Sequence, residues 1–196
     1  SRTVSAFVVY PEVKNKATSV VVIHEIFGMS DWVQMMTDEL AEAGYIAIAP
    51  DLLSGMGPQG GGTAAFIDGN AVGKAIRDLP PVQITADLNA VADYVMHLPA
   101  ANGKVAVTGF CWGGRFVWLY SMHNPKVKAG VAWYGRLVGD KTPLTPRFPV
   151  DIAAMLTVPV LGLYGGKAAG IALDSAEKSR NGPESGEGRS GGRTLP

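Results

Sequence analysis

The single cysteine of this chain stands in the stretch Gly109-Phe110-Cys111-Trp112-Gly113-Gly114. An ionised thiol is a strong nucleophile near neutral pH. Residues 104–108, ahead of it, form a β-prone run, and residues 115–120, behind it, suit a helix. Strand, glycine, nucleophile, glycine, helix is the layout of a nucleophile elbow, a sharp turn that lifts the middle side chain above a sheet. The glycines let the backbone pack closely around that turn. A thiol placed there also sits at a helix N-terminus, whose dipole favours the thiolate. The competing reading is a buried cysteine between accidental glycines. With 25 glycines in 196 residues, a given cysteine has glycine at both ±2 positions roughly 2% of the time. The strand before and the helix after lower that chance further.

The elements that must hold Cys111 are legible from hydrophobic period. Residues 3–10 alternate like a half-buried strand. Residues 18–23 are a continuous β-branched run, the pattern of a strand covered on both faces. Ser30 or Asp31 can cap a helix through about Ala43, with Gly44 ending it. Residues 45–49 are another apolar strand, closed by Pro50. The glycine-rich residues 54–63 predict a loop, and a short helix is expected over about 64–78. Pro80-Pro81 opens a helix with Leu88, Val91, Ala92 and Val95 on one stripe. Residues 104–108, 127–133 and 158–164 read as further buried strands, with a helical turn over 151–156. Strands alternating with helices predict an α/β fold, a mostly parallel sheet with helices on both faces. Catalytic groups in such sheets lie at the carboxyl ends of the strands. Cys111 falls at one such end, and His24-Glu25-Ile26-Phe27-Gly28 at another.

Composition narrows the function classes. Formal net charge is zero, which offers nothing to nucleic acid or to an anionic membrane. The longest apolar runs are strand-length, so no membrane span is expected. One cysteine excludes an internal disulfide and a multi-cysteine metal site. No signal peptide is visible, and a cytoplasmic location is expected. The first residue is Ser1, as after loss of an upstream segment. Residues 179–196 carry almost no apolar surface and include five glycines. Such a segment cannot offset its ordering entropy and is expected to be disordered. The chain therefore divides into a core over residues 1–166 and a divergent tail over 167–196. The strand over 158–164 would be left as an open edge, which invites self-association.

Three segments together resemble the dienelactone hydrolase family, the carboxymethylenebutenolidase-like α/β-hydrolases. They are Val20-Val21-Val22-Ile23-His24-Glu25-Ile26-Phe27-Gly28, then Gly44-Tyr45-Ile46-Ala47-Ile48-Ala49-Pro50-Asp51-Leu52, then the Cys111 stretch. The likeness runs from about residue 4 to about residue 171. It implies an α/β-hydrolase fold and a small lactone or carboxylic ester as partner, with no cofactor and no metal. It implies Cys111 as nucleophile and Glu25 as the carboxylate that takes or orients the thiol proton. It places the oxyanion hole at the backbone N–H groups of Ile26 and Trp112. Read alone, Glu25 is equally a solvated acid at a strand end.

The chain departs from that pattern towards its C-terminus. The family's triad Asp follows the strand over 158–164, where Gly165-Gly166-Lys167-Ala168 puts alanine in its place. The family's base His lies later, and here the last histidine is His123. The final strand and helix of the fold are expected to be missing, as after truncation or a reading-frame shift. His24 should face away from Cys111 if Glu25 faces it, because side chains alternate along a strand. His97 and His123 read as helix-end residues. Arg77 has the fork geometry to bind a substrate carboxylate, although a solvated helix position suits it as well. Arg115 and Arg136 read as surface residues near the site edge, and Asp51 as a turn or capping residue. The expectation is a family hydrolase, inactive or limited to a single turnover. The alternative is a non-catalytic remnant or binding protein that keeps a reactive thiol.

Overall fold

The computed structural model describes residues 2–165 and the backbone of residues 191–195. The strands are β1 (Ala6–Val9), β2 (Ala17–Ile23), β3 (Ile46–Pro50), β4 (Ala101–Phe110), β5 (Val127–Trp133), β6 (Val160–Gly165) and β7 (Gly191–Leu195). The helices are α1 (Asp31–Glu42), α2 (Gly69–Arg77), α3 (Pro81–Met96), α4 (Trp112–His123) and the single turn α5 (Pro149–Ile152). All seven strands form one sheet in the order β1-β3-β2-β4-β5-β6-β7. Only β1 runs antiparallel, against β3, with Ala6 opposite Pro50; the other pairings are parallel. This is the expected α/β architecture. No helix among the described residues is long and apolar enough to cross a membrane.

Period-two alternation decides which helix each strand residue meets. Val22, Ala49 and Phe110 cluster with Val33 of α1, while Val21, Ile23, Ile48, Val105 and Val107 join the cluster that includes α3 and α4. Val21, Val22 and Ile23 are all fully buried, as their unbroken apolar run required. Each such side chain contributes about 1.5–3 kcal/mol when fully buried. On the α1 face, the outer part of β4 and β5 is uncovered among the described residues. Trp32, Met36, Phe110, Val131 and Trp133 there border an open apolar groove of about 590 Å³. Trp32 meets Phe110 edge-on at 4.7 Å and Phe110 stacks on Trp133 at 5.7 Å between ring centroids.

Local signals set most boundaries. Ser30 caps α1, its hydroxyl accepting the Val33 N–H at 3.4 Å, and Gly44 with φ 95° turns the chain out of it. The helix expected over 64–78 starts only at Gly69, because Asp68 caps it by accepting the Asn70 and Ala71 N–H groups at 2.8 and 2.9 Å. The preceding loop is organised by Asp51. Its carboxylate accepts the Leu53 and Thr63 N–H groups at 3.0 and 2.7 Å and the Thr63 hydroxyl at 2.8 Å, the turn role expected of it.

The C-terminal edge differs from the sequence reading. β7 pairs along β6, from Leu161 opposite Gly191 to Gly165 opposite Leu195. The strand expected to be open is therefore covered, and residues 191–195 are extended rather than disordered. A strand is held by backbone N–H and C=O groups, so a glycine-rich segment poor in apolar side chains can still supply one. Ala168 and the rest of the expected tail through residue 190 lie outside the described residues.

Candidate active site

β4 ends at Phe110 and α4 begins at Trp112, so Cys111 alone makes the turn between them. Its φ of 52° and ψ of −114° lie in a region that side chains avoid. Such a conformation costs of order 1–3 kcal/mol and persists only where the surroundings impose it. Here they do. The Cys111 N–H donates to the Trp133 carbonyl at 2.9 Å, and the Arg115 N–H donates to the Cys111 carbonyl at 3.3 Å. A methyl group on Gly113 would overlap the carbonyl oxygens of Ile23 and His24, and one on Gly114 would sit 2.5 Å from the Trp133 carbonyl. The two glycines let α4 settle directly onto the ends of β2 and β5. That contact presents the half-buried thiol to a cleft.

The cleft has a volume of about 670 Å³, and Ile26, Cys111, Trp112 and Tyr134 are on its wall. Among the described residues neither the Ile26 N–H nor the Trp112 N–H donates a hydrogen bond within the protein. Trp112 is the first residue of α4, where the helix leaves its N–H groups without partners. These are the two backbone donors that the family resemblance implies.

Glu25 is half-buried two residues past β2, and loss of hydration raises its carboxyl above the ordinary range. Tyr134, one residue past β5, was not anticipated. It carries a positive φ of 42°. Burial first, then the charges of Cys111 and Glu25, push its phenol above the usual value. The phenol is thus within electrostatic reach of both the thiol and the carboxyl. Its position at the carboxyl end of a central strand was the available signal.

His24 is not on the cleft wall. It is fully buried, with its ring stacked on Trp112 at 5.9 Å between centroids. Its Nδ1–H donates to the Glu25 carbonyl at 2.9 Å and its Nε2 accepts the Leu52 N–H at 3.3 Å. Both nitrogens are committed to one neutral tautomer, and burial lowers the pKa. The native state thus refuses a proton that the unfolded chain binds below about pH 6.5. By that sign, stability is full above pH 6.5 and falls as pH drops below it. We predict that the urea midpoint of the wild type falls more between pH 7.5 and pH 5.5 than that of His24→Gln. The slope difference should approach about 1.4 kcal/mol per pH unit, the value for one proton. Parallel profiles for the two proteins would refute it.

The other histidines lie elsewhere. Nδ1–H of His97 donates to the Asp93 carbonyl at 2.6 Å at the end of α3. His123 closes α4, stacked on Tyr120 at 6.5 Å. None of the three histidines lines the cleft that holds Cys111. Three arginines do: Arg77, Arg115 and Arg136. Arg115, expected at the surface, is 7% exposed, because the tight seating of α4 carries its first turns into the core.

The dienelactone hydrolase family model matches residues 4–183. A protein of Yersinia pestis, provisionally assigned as a carboxymethylenebutenolidase, is 44% identical over 161 residues, 82% of this chain and 59% of that protein. An Escherichia coli K12 protein with the same provisional assignment is 42% identical over 162 residues, 82% of this chain and 58% of its own length. The chain thus spans less than two thirds of the length of these relatives. A Klebsiella pneumoniae crystal structure, provisionally assigned as a dienelactone hydrolase, superposes with a TM-score of 0.86 at 37% identity, covering 98% of this chain and 80% of that one. With the fold, the elbow and these matches in hand, this chain belongs to the dienelactone hydrolase family.

Proposed function

We propose that the chain attacks small carboxylic esters or lactones through Cys111 and holds the acyl group as a thioester. The observation that carries this is the thiol on a strained strand-to-helix turn, facing a cleft beside two unpaired N–H donors. In the proposed step Glu25 takes the thiol proton, and its raised pKa suits it to that task. The sulfur forms a bond to the carbonyl carbon, and the carbonyl π pair moves to oxygen, where Ile26 and Trp112 N–H groups stabilise it. Collapse of the tetrahedral intermediate breaks the bond to the alcohol oxygen, which recovers the proton from Glu25. A free alcohol leaves; from a lactone, the hydroxyl stays tethered to the acyl chain. Arg77 is placed to pair with a carboxylate elsewhere on the substrate. Hydrolysis of the thioester needs a base for water, and no histidine lines this cleft. We therefore expect acylation to outrun deacylation in this polypeptide.

A p-nitrophenyl ester tests this directly. The expected result is one equivalent of nitrophenol in a burst, with one acyl adduct by intact mass that is absent from Cys111→Ser. Sustained release well above the Cys111→Ser control would overturn slow deacylation. No burst, with a thiol that still reacts with iodoacetamide, would establish the second reading, a non-catalytic remnant. The observation that favours that reading is the same histidine-free cleft.

A further inference from the structure

His24 is a buried imidazole that the proposed chemistry does not use. A backbone N–H can only donate, so the Leu52 N–H makes Nε2 the acceptor and leaves the ring proton on Nδ1. Leu52 is itself fixed. Its carbonyl accepts from the Arg2 guanidinium at 2.9 Å, and the next N–H, that of Leu53, donates to the Asp51 carboxylate at 3.0 Å. The chain just past β3 therefore dictates the tautomer of a residue just past β2.

That tautomer acts on one particular peptide unit. The Glu25 carbonyl and the Ile26 N–H belong to the same planar group, and in a trans peptide they point in opposite directions. The carbonyl accepts from His24 Nδ1–H at 2.9 Å and from the Gly28 N–H at 3.1 Å. With the carbonyl drawn to the buried ring, the Ile26 N–H is turned the other way. It donates to no described backbone group, and Ile26 lines the Cys111 cleft. The same peptide rotated by half a turn would offer that cleft a carbonyl lone pair where a developing oxyanion needs a donor. Trp112, whose N–H is the second donor, stacks its ring on the same imidazole at 5.9 Å.

We propose that His24 is a positioning residue for the oxyanion hole: its Nδ1–H holds the Glu25–Ile26 peptide in the orientation that aims the Ile26 N–H at the carbonyl oxygen of an ester attacked by Cys111. This rests on the function proposed above for the ester and its attack; the hold on the peptide is independent of it. Leu52, which does not line the cleft, takes part by selecting the nitrogen that carries the proton.

Two amide variants divide the ring's contacts. The amide of Asn reaches the position of Nδ1 and stops short of Nε2, and that of Gln reaches Nε2 and leaves the Nδ1 position empty. His24→Asn can still donate to Glu25, and His24→Gln can still accept from Leu52. Each loses one hydrogen bond, so stability alone does not separate them. Acylation by p-nitrophenyl acetate passes through an oxyanion, whereas alkylation by iodoacetamide displaces iodide directly and needs no oxyanion hole. Relative to alkylation, acylation should fall about tenfold in His24→Gln. That is less than the roughly 10²–10³ lost with a whole donor, because Gly28 still holds the carbonyl. His24→Asn should recover most of the loss. An unchanged ratio in His24→Gln, or an equal fall in His24→Asn, overturns the proposal. So does a fall of both reactions together, which marks a purely structural histidine. Nitrogen NMR of the wild type needs no variant: the ring proton should be found on Nδ1, and a proton on Nε2 overturns the proposal. A wild type that is alkylated but never acylated overturns the thioester chemistry instead. The hold on the peptide is then decided by the Ile26 amide resonance, displaced further in His24→Gln than in His24→Asn if His24 sets the peptide and equally in both if it does not.

Discussion

Gly113→Ala should lose at least about 3 kcal/mol of stability and accumulate little folded protein. The added methyl meets two backbone carbonyl oxygens, those of Ile23 and His24, at the end of the central strand β2. Neither can rotate aside as a side chain would. Relief requires α4 to lift away from the sheet. That would disturb the buried packing of Phe116, Val117 and Trp118 together with the turn at Cys111. Overpacking of cores ordinarily costs roughly 1–3 kcal/mol because neighbours give way; here the neighbours are ladder backbone. Whole-domain stability is only about 5–15 kcal/mol, so one methyl consumes a large part of it. Gly103→Ala is the comparison. Its φ of 78° disfavours alanine, but nothing lies within 4 Å of the new atom, so about 1 kcal/mol is expected. Denaturant midpoints check both, and equal losses would show that close approach is not what requires glycine at 113.

Replacing Cys111 should separate chemistry from folding. Cys111→Ser and Cys111→Gly should both abolish the acyl adduct. Cys111→Gly should also be more stable than the wild type, by about 1 kcal/mol or more, since glycine adopts a φ of 52° and ψ of −114° without the penalty a side chain incurs there. Cys111→Ser keeps a side chain and therefore the strain, so it should gain nothing. The measurement is a urea midpoint for each protein beside intact mass after exposure to the ester. A Cys111→Gly protein less stable than Cys111→Ser would mean that the sulfur's contacts outweigh the backbone strain. An adduct surviving in either would place the nucleophile elsewhere.

How much of this was legible in the sequence follows from the range of each signal. The buried strands were plain because β-branched runs such as Val20-Val21-Val22-Ile23 report burial on both faces locally. The elbow was plain because the glycines and the cysteine stand within a few residues of each other. β4 proved longer than expected, running Ala101–Phe110, since pairing with β2 extends it past its apolar centre. Arg115 was misplaced at the surface because its burial comes from the seating of α4, a tertiary event with no local mark. Tyr134 went unnoticed because its link to Cys111 crosses from β5 to β4, over 20 positions of sequence. β7 was unforeseen because a backbone ladder needs no apolar pattern.

The seating of the aromatic residues gives the molecule four distinct optical probes. Trp118 is 3% exposed and donates to the Tyr164 hydroxyl at 3.2 Å, so its emission is that of an indole shut away from water. Trp32, 36% exposed, meets solvent beside the open groove, and Trp133 shares that wall through Phe110. Trp112 alone touches the reactive cleft, with the neutral imidazole of His24 behind it. Light emitted from one side of the sheet therefore reports the groove, and from the other the arrival of a ligand beside the thiol.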